Sequence, residues 1–167
     1  DKIRCKWLFQ AQGLPTAPFR VAKTSTAPDH AAMLSALNGK VMVKPANEGS
    51  SIGMSAASTA AELQQALDTA FAYDSDVLVE QWIQGREFTV SVLNGKALPV
   101  VEMRTPRSFY DYEAKYKSDS TQYLCPAPLT DEQTASLQQA AVAAFQAVGA
   151  SGWGRVDAML DQAGNFY

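Results

Sequence analysis

The sequence predicts an α+β fold. Strand candidates outnumber helix candidates, hairpins dominate, and helices are interleaved among the strands. The first element is a helix over Lys2 to Gln12: Ile3, Trp7 and Ala11 recur on one face, and Gly13 then Pro15 end it. That stripe places Trp7 in the core. Phe19 to Ala22 is a short strand, and Asp29 to Leu37 is a short helix closed by Asn38-Gly39. Lys40 to Lys44 is a strand carried by Val41 and Val43. Thr59 and Glu62 have capping-box spacing, and Leu63, Leu67, Ala70 and Phe71 follow at helical intervals. Val77 to Trp82 reads as a strand. Phe88, Val90 and Val92 alternate with Thr89, Ser91 and Leu93, a strand with one apolar face. Asn94-Gly95 is a type I′ turn signal, so Lys96 to Val100 should pair back. Arg104 to Lys117 has no clean period; aromatic and charged, it reads as a functional loop. Gln122 to Cys125 is a further short strand. Thr130 and Gln133 form a second capping box, with Leu137, Ala141, Ala144, Phe145 and Val148 as the buried stripe before Gly149. Gly154 to Leu160 is a strand, Asp161 to Gly164 a turn, and Asn165 to Tyr167 the start of a return strand.

A chain of 167 residues fits one domain or two small lobes sharing a core. A hydrophobic content of 47% with 19% charged residues is that of a folded globular protein. The net charge of −3 offers no electrostatic case for nucleic acid or an anionic membrane. Any phosphate must be held by locally placed Lys and Arg. No apolar run approaches the length of a membrane span, and no signal-peptide pattern opens the chain. Cys5 and Cys125 are far apart, without a C-x-x-C, and read as buried or inert thiols of a reducing cytosol. His30 is the only histidine, so no Ser-His or Cys-His catalysis is built around a second one. The ends read as those of a piece of a longer protein: Asp1 is not an initiator Met, and the last hairpin stops after three residues.

The segment Val43-Lys44-Pro45-Ala46-Asn47-Glu48-Gly49-Ser50-Ser51-Ile52-Gly53-Met54 is the most informative stretch. A strand delivers Lys44, and Pro45 stops the ladder because it has no N–H to donate. A Gly/Ser loop follows, in which glycines allow close backbone approach and successive N–H groups can form an anion-binding nest. A strand-end Lys with such a loop is a phosphate grip, although not the P-loop, where the Lys follows the glycines. Arg155 and Asp157 are two apart on a strand and so project to one face. A cation and a carboxylate there can clamp a phosphoryl group and its Mg²⁺, and Gly152, Trp153 and Gly154 suggest a tight, buried approach. A salt bridge on a solvated strand is the plainer reading of the same pair.

Together with the aromatic run Phe109-Tyr110-Asp111-Tyr112-Glu113-Ala114-Lys115-Tyr116 and with Gly152-Trp153-Gly154-Arg155-Val156-Asp157, the loop resembles the ATP-grasp core of the D-alanine–D-alanine ligase family. The three motifs stand in that family's order and at similar spacing, and the resemblance covers essentially the whole chain. It implies two α+β lobes with nucleotide between them, truncated. Residues from about 1 to 40 would be a lead-in helix and the start of the core. Residues 41–100 would be the nucleotide lobe with grip loop and adenine strand. Residues 101–167 would be a second lobe with an omega-type loop and the start of a metal-site hairpin. It further implies ATP with Mg²⁺ or Mn²⁺, D-alanine as partner, no nucleic acid or membrane and a cytoplasmic setting, and it allows a homodimer in the full-length protein.

The resemblance also implies residue roles. Lys44 holds α/β-phosphates, and Lys2 and Lys115 reach the phosphates. Ser50 and Ser51 close over the β/γ-phosphates. Glu80, Gln81, Trp82 and Ile83 read adenine, through strand-end N–H and C=O groups left unpaired. Glu87 binds the ribose hydroxyls and Phe109 walls the base. Asp157 binds Mg²⁺, and Arg155 stabilises the phosphorylated intermediate. Tyr116 hydrogen-bonds the grip-loop Ser, matched by Ser50, and a Tyr rather than a Phe there goes with D-alanine rather than D-lactate as second substrate. The family's other metal ligands, a Glu and an Asn, belong to a strand following Tyr167. The chain by itself is therefore expected not to catalyse. The alternatives are a D-alanine–D-lactate ligase, another ATP-grasp carboxylate–amine ligase, or a non-catalytic nucleotide-binding module.

Overall fold

A computed structural model describes residues 1–105 and 121–167. It divides the chain into two compact units, the first Asp1–Cys5 with Ala17–Trp82, the second Lys6–Thr16 with Ile83–Tyr167. The helix α1 (Lys2–Ala11) begins in the first and continues in the second.

The first unit is an antiparallel sheet of four strands in the order β1-β4-β2-β3, formed by β1 (Phe19–Lys23), β2 (Val41–Pro45), β3 (Ser55–Ala57) and β4 (Asp76–Gln81). Alternation assigns the faces. Val41 and Val43 of β2 and Val77 and Val79 of β4 point one way and pack with Leu34 of α2 (His30–Ala36), with Leu37, its C-cap, and with Leu63, Ala66 and Leu67 of α3 (Ala60–Phe71). Asp29 caps α2, and the Thr59–Glu62 capping box opens α3 as expected. The other face carries Leu78, Phe19 and Ala46 against Ile3. Pro45 is the last residue of β2 and still pairs with Val77. The strand β3 has already ended opposite Val43, so the missing N–H of Pro45 faces no strand.

The second unit is a sheet built on β5 (Gly85–Leu93), which pairs with β9 (Trp153–Asp161) along its whole length. The short β6 (Lys96–Ala97) and β7 (Val101–Arg104) share its other edge, and β8 (Gln122–Leu124) follows β7. The return strand predicted over Lys96–Val100 is therefore cut to two paired residues, ended before Pro99. Phe88 and Val90 pack with Leu137 and Ala141 of α4 (Asp131–Ala147), which opens with the predicted Thr130–Gln133 capping box. Residue 100 lies inside this unit, in which β5 is paired with β9.

Two expected core positions are wet. Trp7 is 52% exposed, and Val148, which caps α4 rather than lying in its stripe, is 41% exposed. Cys5 is half-buried, Cys125 is exposed, and both are free thiols. Among the described residues, no helix is long and apolar enough to cross a membrane.

Candidate functional site

In the first unit the sheet sends Lys44 and Glu80 to the face away from α2 and α3, by the alternation that buries Val43 and Val79. Their ammonium and carboxylate form an ion pair. Lys2 converges on the same segment: its Nζ donates to the carbonyls of Pro45 (2.8 Å) and Glu48, and its main-chain N–H donates to Ala46 O. Burial, then the neighbouring Lys44 ammonium, pull the Lys2 pKa below its ordinary value.

The loop between β2 and β3 is anchored at both ends. Asn47 donates twice to Asp74 Oδ2, from its main-chain N–H (2.9 Å) and from Nδ2 (2.7 Å). Burial works against the Asp74 charge, yet donation from the Asn47 side chain and from main-chain N–H groups holds its pKa below the ordinary value. At the far end, a Cβ on Gly53 would lie 2.7 Å from the Tyr73 ring and 2.8 Å from Pro45 Cγ, at φ +68°, so only glycine fits. Between the anchors Ser50 (φ 52°) and Ser51 (φ 62°) are both left-handed, at a typical cost of about 1–2 kcal/mol each.

The end of β4 corrects one expectation. The N–H groups of Gln81 and Trp82 are not unpaired: they donate to Pro18 O (2.8 Å) and Lys40 O (2.9 Å). The Trp82 ring carries the Lys40 ammonium 4.2 Å from its centroid. Ile83 opens the second unit.

In that unit, register makes a polar face. Residues directly opposite in an antiparallel pair share a face, and β5 and β9 place Glu87 opposite Met159, Thr89 opposite Asp157 and Ser91 opposite Arg155. Glu87, Thr89, Arg155 and Asp157 thus lie together, with Phe88 and Val90 buried behind them. Arg155 Nε donates to Asp157 Oδ1 (3.0 Å) and Nη2 to Oδ2 (3.4 Å), both side chains about half exposed. The buried approach expected of Gly152-Trp153-Gly154 is absent on the Trp153 side, which is 80% exposed. The glycine serves packing instead: a Cβ on Gly154 would lie 2.7 Å from Phe145 Cε2.

Behind the face, Glu102 is nearly sealed off at 2% exposure. It accepts from Arg86 Nε (2.8 Å) and Nη2 (2.9 Å) and from Arg104 Nη2 (2.9 Å). The Arg86 hydrogen bonds, helped by Arg104, hold its pKa down at about 2 against the burial that opposes charge.

Phe109, Lys115 and Tyr116 lie outside the described residues. Sequence reading missed Thr89, the Asn47–Asp74 anchor and the Glu102 cluster. No local signal marks them, because each depends on which strand or turn lies opposite. For the implied Mg²⁺, Asp157 is a single carboxylate, and among the described residues no group of three or more His, Cys, Asp or Glu side chains could hold a metal. One carboxylate fits Mg²⁺ when phosphate and water oxygens complete the shell.

Residues 8–167 match the family described as D-ala D-ala ligase C-terminus. A D-alanine–D-alanine ligase of Pseudoalteromonas translucida (strain TAC 125) is 59% identical over 167 residues, covering all of this chain and 54% of that protein. Among solved structures, the D-alanine–D-alanine ligase of Bacillus anthracis aligns with a TM-score of 0.83 at 31% identity, over 97% of this chain and 53% of its own. A structure of that enzyme complexed with ATP aligns with a TM-score of 0.80 at 29% identity, over 98% of this chain and 52% of its own. The chain spans about half the length of the curated relatives it matches. With an α+β fold of the ATP-grasp type and a match over nearly its whole length, the chain belongs to the D-alanine–D-alanine ligase C-terminal family.

Proposed function

We propose that this chain is the nucleotide- and phosphoryl-handling part of an ATP-dependent ligase. The enzyme joins two D-alanines through a D-alanyl phosphate, for peptidoglycan precursor synthesis in the cytoplasm. Lys44, already partly desolvated against Glu80, exchanges that carboxylate for α/β-phosphate oxygens, so its burial cost is not incurred again. Lys2 ties down the carbonyls that start the grip loop and lies beside the same phosphates. Ser50 and Ser51 aim their N–H and hydroxyl groups at the β/γ-phosphates, with Lys115 as a further cation. Residues Glu80 to Ile83 meet the adenine edge, with Phe109 as a wall, and Glu87 takes the ribose hydroxyls. Arg155 has a five-donor fork, of which Asp157 engages Nε and one Nη; the remainder is available to charge developing on the transferred phosphoryl group. Asp157 would hold Mg²⁺ or Mn²⁺, which supplies charge neutralisation on the phosphates when bound.

The observation that carries a catalytic role, rather than mere nucleotide binding, is the Arg155–Asp157 pair on the open sheet face. A protein that only binds ATP needs no paired cation and carboxylate for a phosphoryl group in transit. The test is the whole gene product with ATP, Mg²⁺ and D-alanine at near-neutral pH, with D-lactate in competition. Phosphate release that depends on D-alanine, with D-alanyl-D-alanine formed, is expected. Absence of D-alanine-dependent release refutes the ligase reading. Preference for D-lactate in the wild type, or no rise in depsipeptide with Tyr116→Phe, refutes the role given to Tyr116.

A further inference from the structure

Thr89 sits on the same face as Glu87, Arg155 and Asp157, yet it is only 8% exposed where Arg155 and Asp157 are about half exposed. A hydroxyl so buried costs stability unless it is hydrogen-bonded, and valine has the same shape and suits a strand as well. Thr89 Oγ1 has two acceptors, Asp157 Oδ1 at 2.8 Å and the Val156 carbonyl at 3.5 Å, and the much shorter contact to Asp157 is the stronger. Oδ1 therefore accepts from Thr89 and from Arg155 Nε, whereas among the described residues Oδ2 meets only the long 3.4 Å approach of Arg155 Nη2.

This asymmetry matters because an aspartate carboxylate turns broadly about its last torsion, and an exposed Arg–Asp pair fixes it weakly. Thr89 is stiff at χ1 and held by the nine-residue register of β5 with β9. We propose that Thr89 is the positioning residue for Asp157, locking Oδ1 from below so that Oδ2 is presented to the divalent cation. The inference rests on Asp157 being a metal ligand. Ligating carboxylates are ordinarily oriented by a second layer of hydrogen bonds, whose loss weakens metal binding by about 10–100-fold.

The test titrates Mn²⁺ into the whole gene product with a non-hydrolysable ATP analogue and reads free Mn²⁺ by electron paramagnetic resonance. Thr89→Val, Thr89→Ser and Asp157→Asn are compared, and thermal melting confirms folding. Thr89→Ala replaces Thr89→Val should that variant not fold. Asp157→Asn and Thr89→Val should each raise the apparent Mn²⁺ dissociation constant about 10-fold or more, and Thr89→Ser should restore it to within about 3-fold of wild type. In turnover, the Mn²⁺ requirement of Thr89→Val should rise more than its KM for D-alanine. If Asp157→Asn weakens Mn²⁺ and Thr89→Val does not, the positioning role is wrong while the metal reading stands. If Thr89→Ser is as poor as Thr89→Val, the side chain acts through packing and the role is again overturned. If Asp157→Asn changes nothing, the metal reading falls and takes this inference with it.

Discussion

The grip loop of the first unit and the β5–β9 face of the second carry charge in opposite ways. The loop is a strained segment whose cations are occupied: Lys44 by Glu80, Lys2 by two main-chain carbonyls. Its two left-handed serines lie between anchors at Asn47 and Gly53. The β5–β9 face is a fully paired ladder whose charges are set by register and backed by a buried charge cluster. The difference teaches where binding has to do work. A ligand at the loop must displace internal partners, whereas a ligand at the sheet meets groups already in place.

The largest expected effect is at Lys44. In the whole gene product Lys44→Ala should lower turnover on the order of 10²–10³-fold at saturating ATP while leaving the melting temperature nearly unchanged, because a charge-assisted phosphate contact is lost. Near-normal turnover would show that the Lys44–Glu80 pair is structural and break the contrast.

Next is the rigidity of the sheet. Glu102→Gln leaves two guanidinium groups facing an amide and should cost about 3 kcal/mol near neutral pH. The sign follows from a pKa lowered from 4.5 to about 2 in the folded protein. The wild-type advantage is fully present above about 4.5, and it fades as pH falls through the window down to about 2. Denaturant melts of both proteins across that window check it; a difference independent of pH would mean that the carboxylate charge is not what matters.

Gly154→Ala is expected to destabilise by about 1–3 kcal/mol, through the clash with Phe145, and Phe145→Leu in the same chain should recover part of the loss. No recovery would place the requirement for glycine elsewhere.

The smallest effect is at the loop anchor. Asp74→Ala strands the Asn47 donors and should cost about 1 kcal/mol. It should raise KM for ATP more than it changes kcat. An unchanged KM would mean that the loop does not depend on its anchor.

Most elements were legible because their signals are local. The capping boxes at Thr59 and Thr130, the Asn94-Gly95 turn and the alternation from Phe88 to Leu93 each lie within a few residues. The strands β3 and β7 were not: they pair where β2 and β5 offer them an edge, and that edge lies far from them in sequence or register.

The sequence by itself determined the α+β class, the strand that delivers Lys44, the two-residue spacing of Arg155 and Asp157, and the family. Each is written in neighbouring residues or in motif order. Only the tertiary structure decided that Trp7 and Trp153 are exposed, that the Gln81 and Trp82 N–H groups are already bonded, and that Pro45 stays in its strand. It alone brought Lys44 to Glu80, Asn47 to Asp74 and Thr89 to Asp157. A hydrogen bond between residues 68 positions apart depends on the register of two strands, and register follows from which apolar face finds a core to bury it.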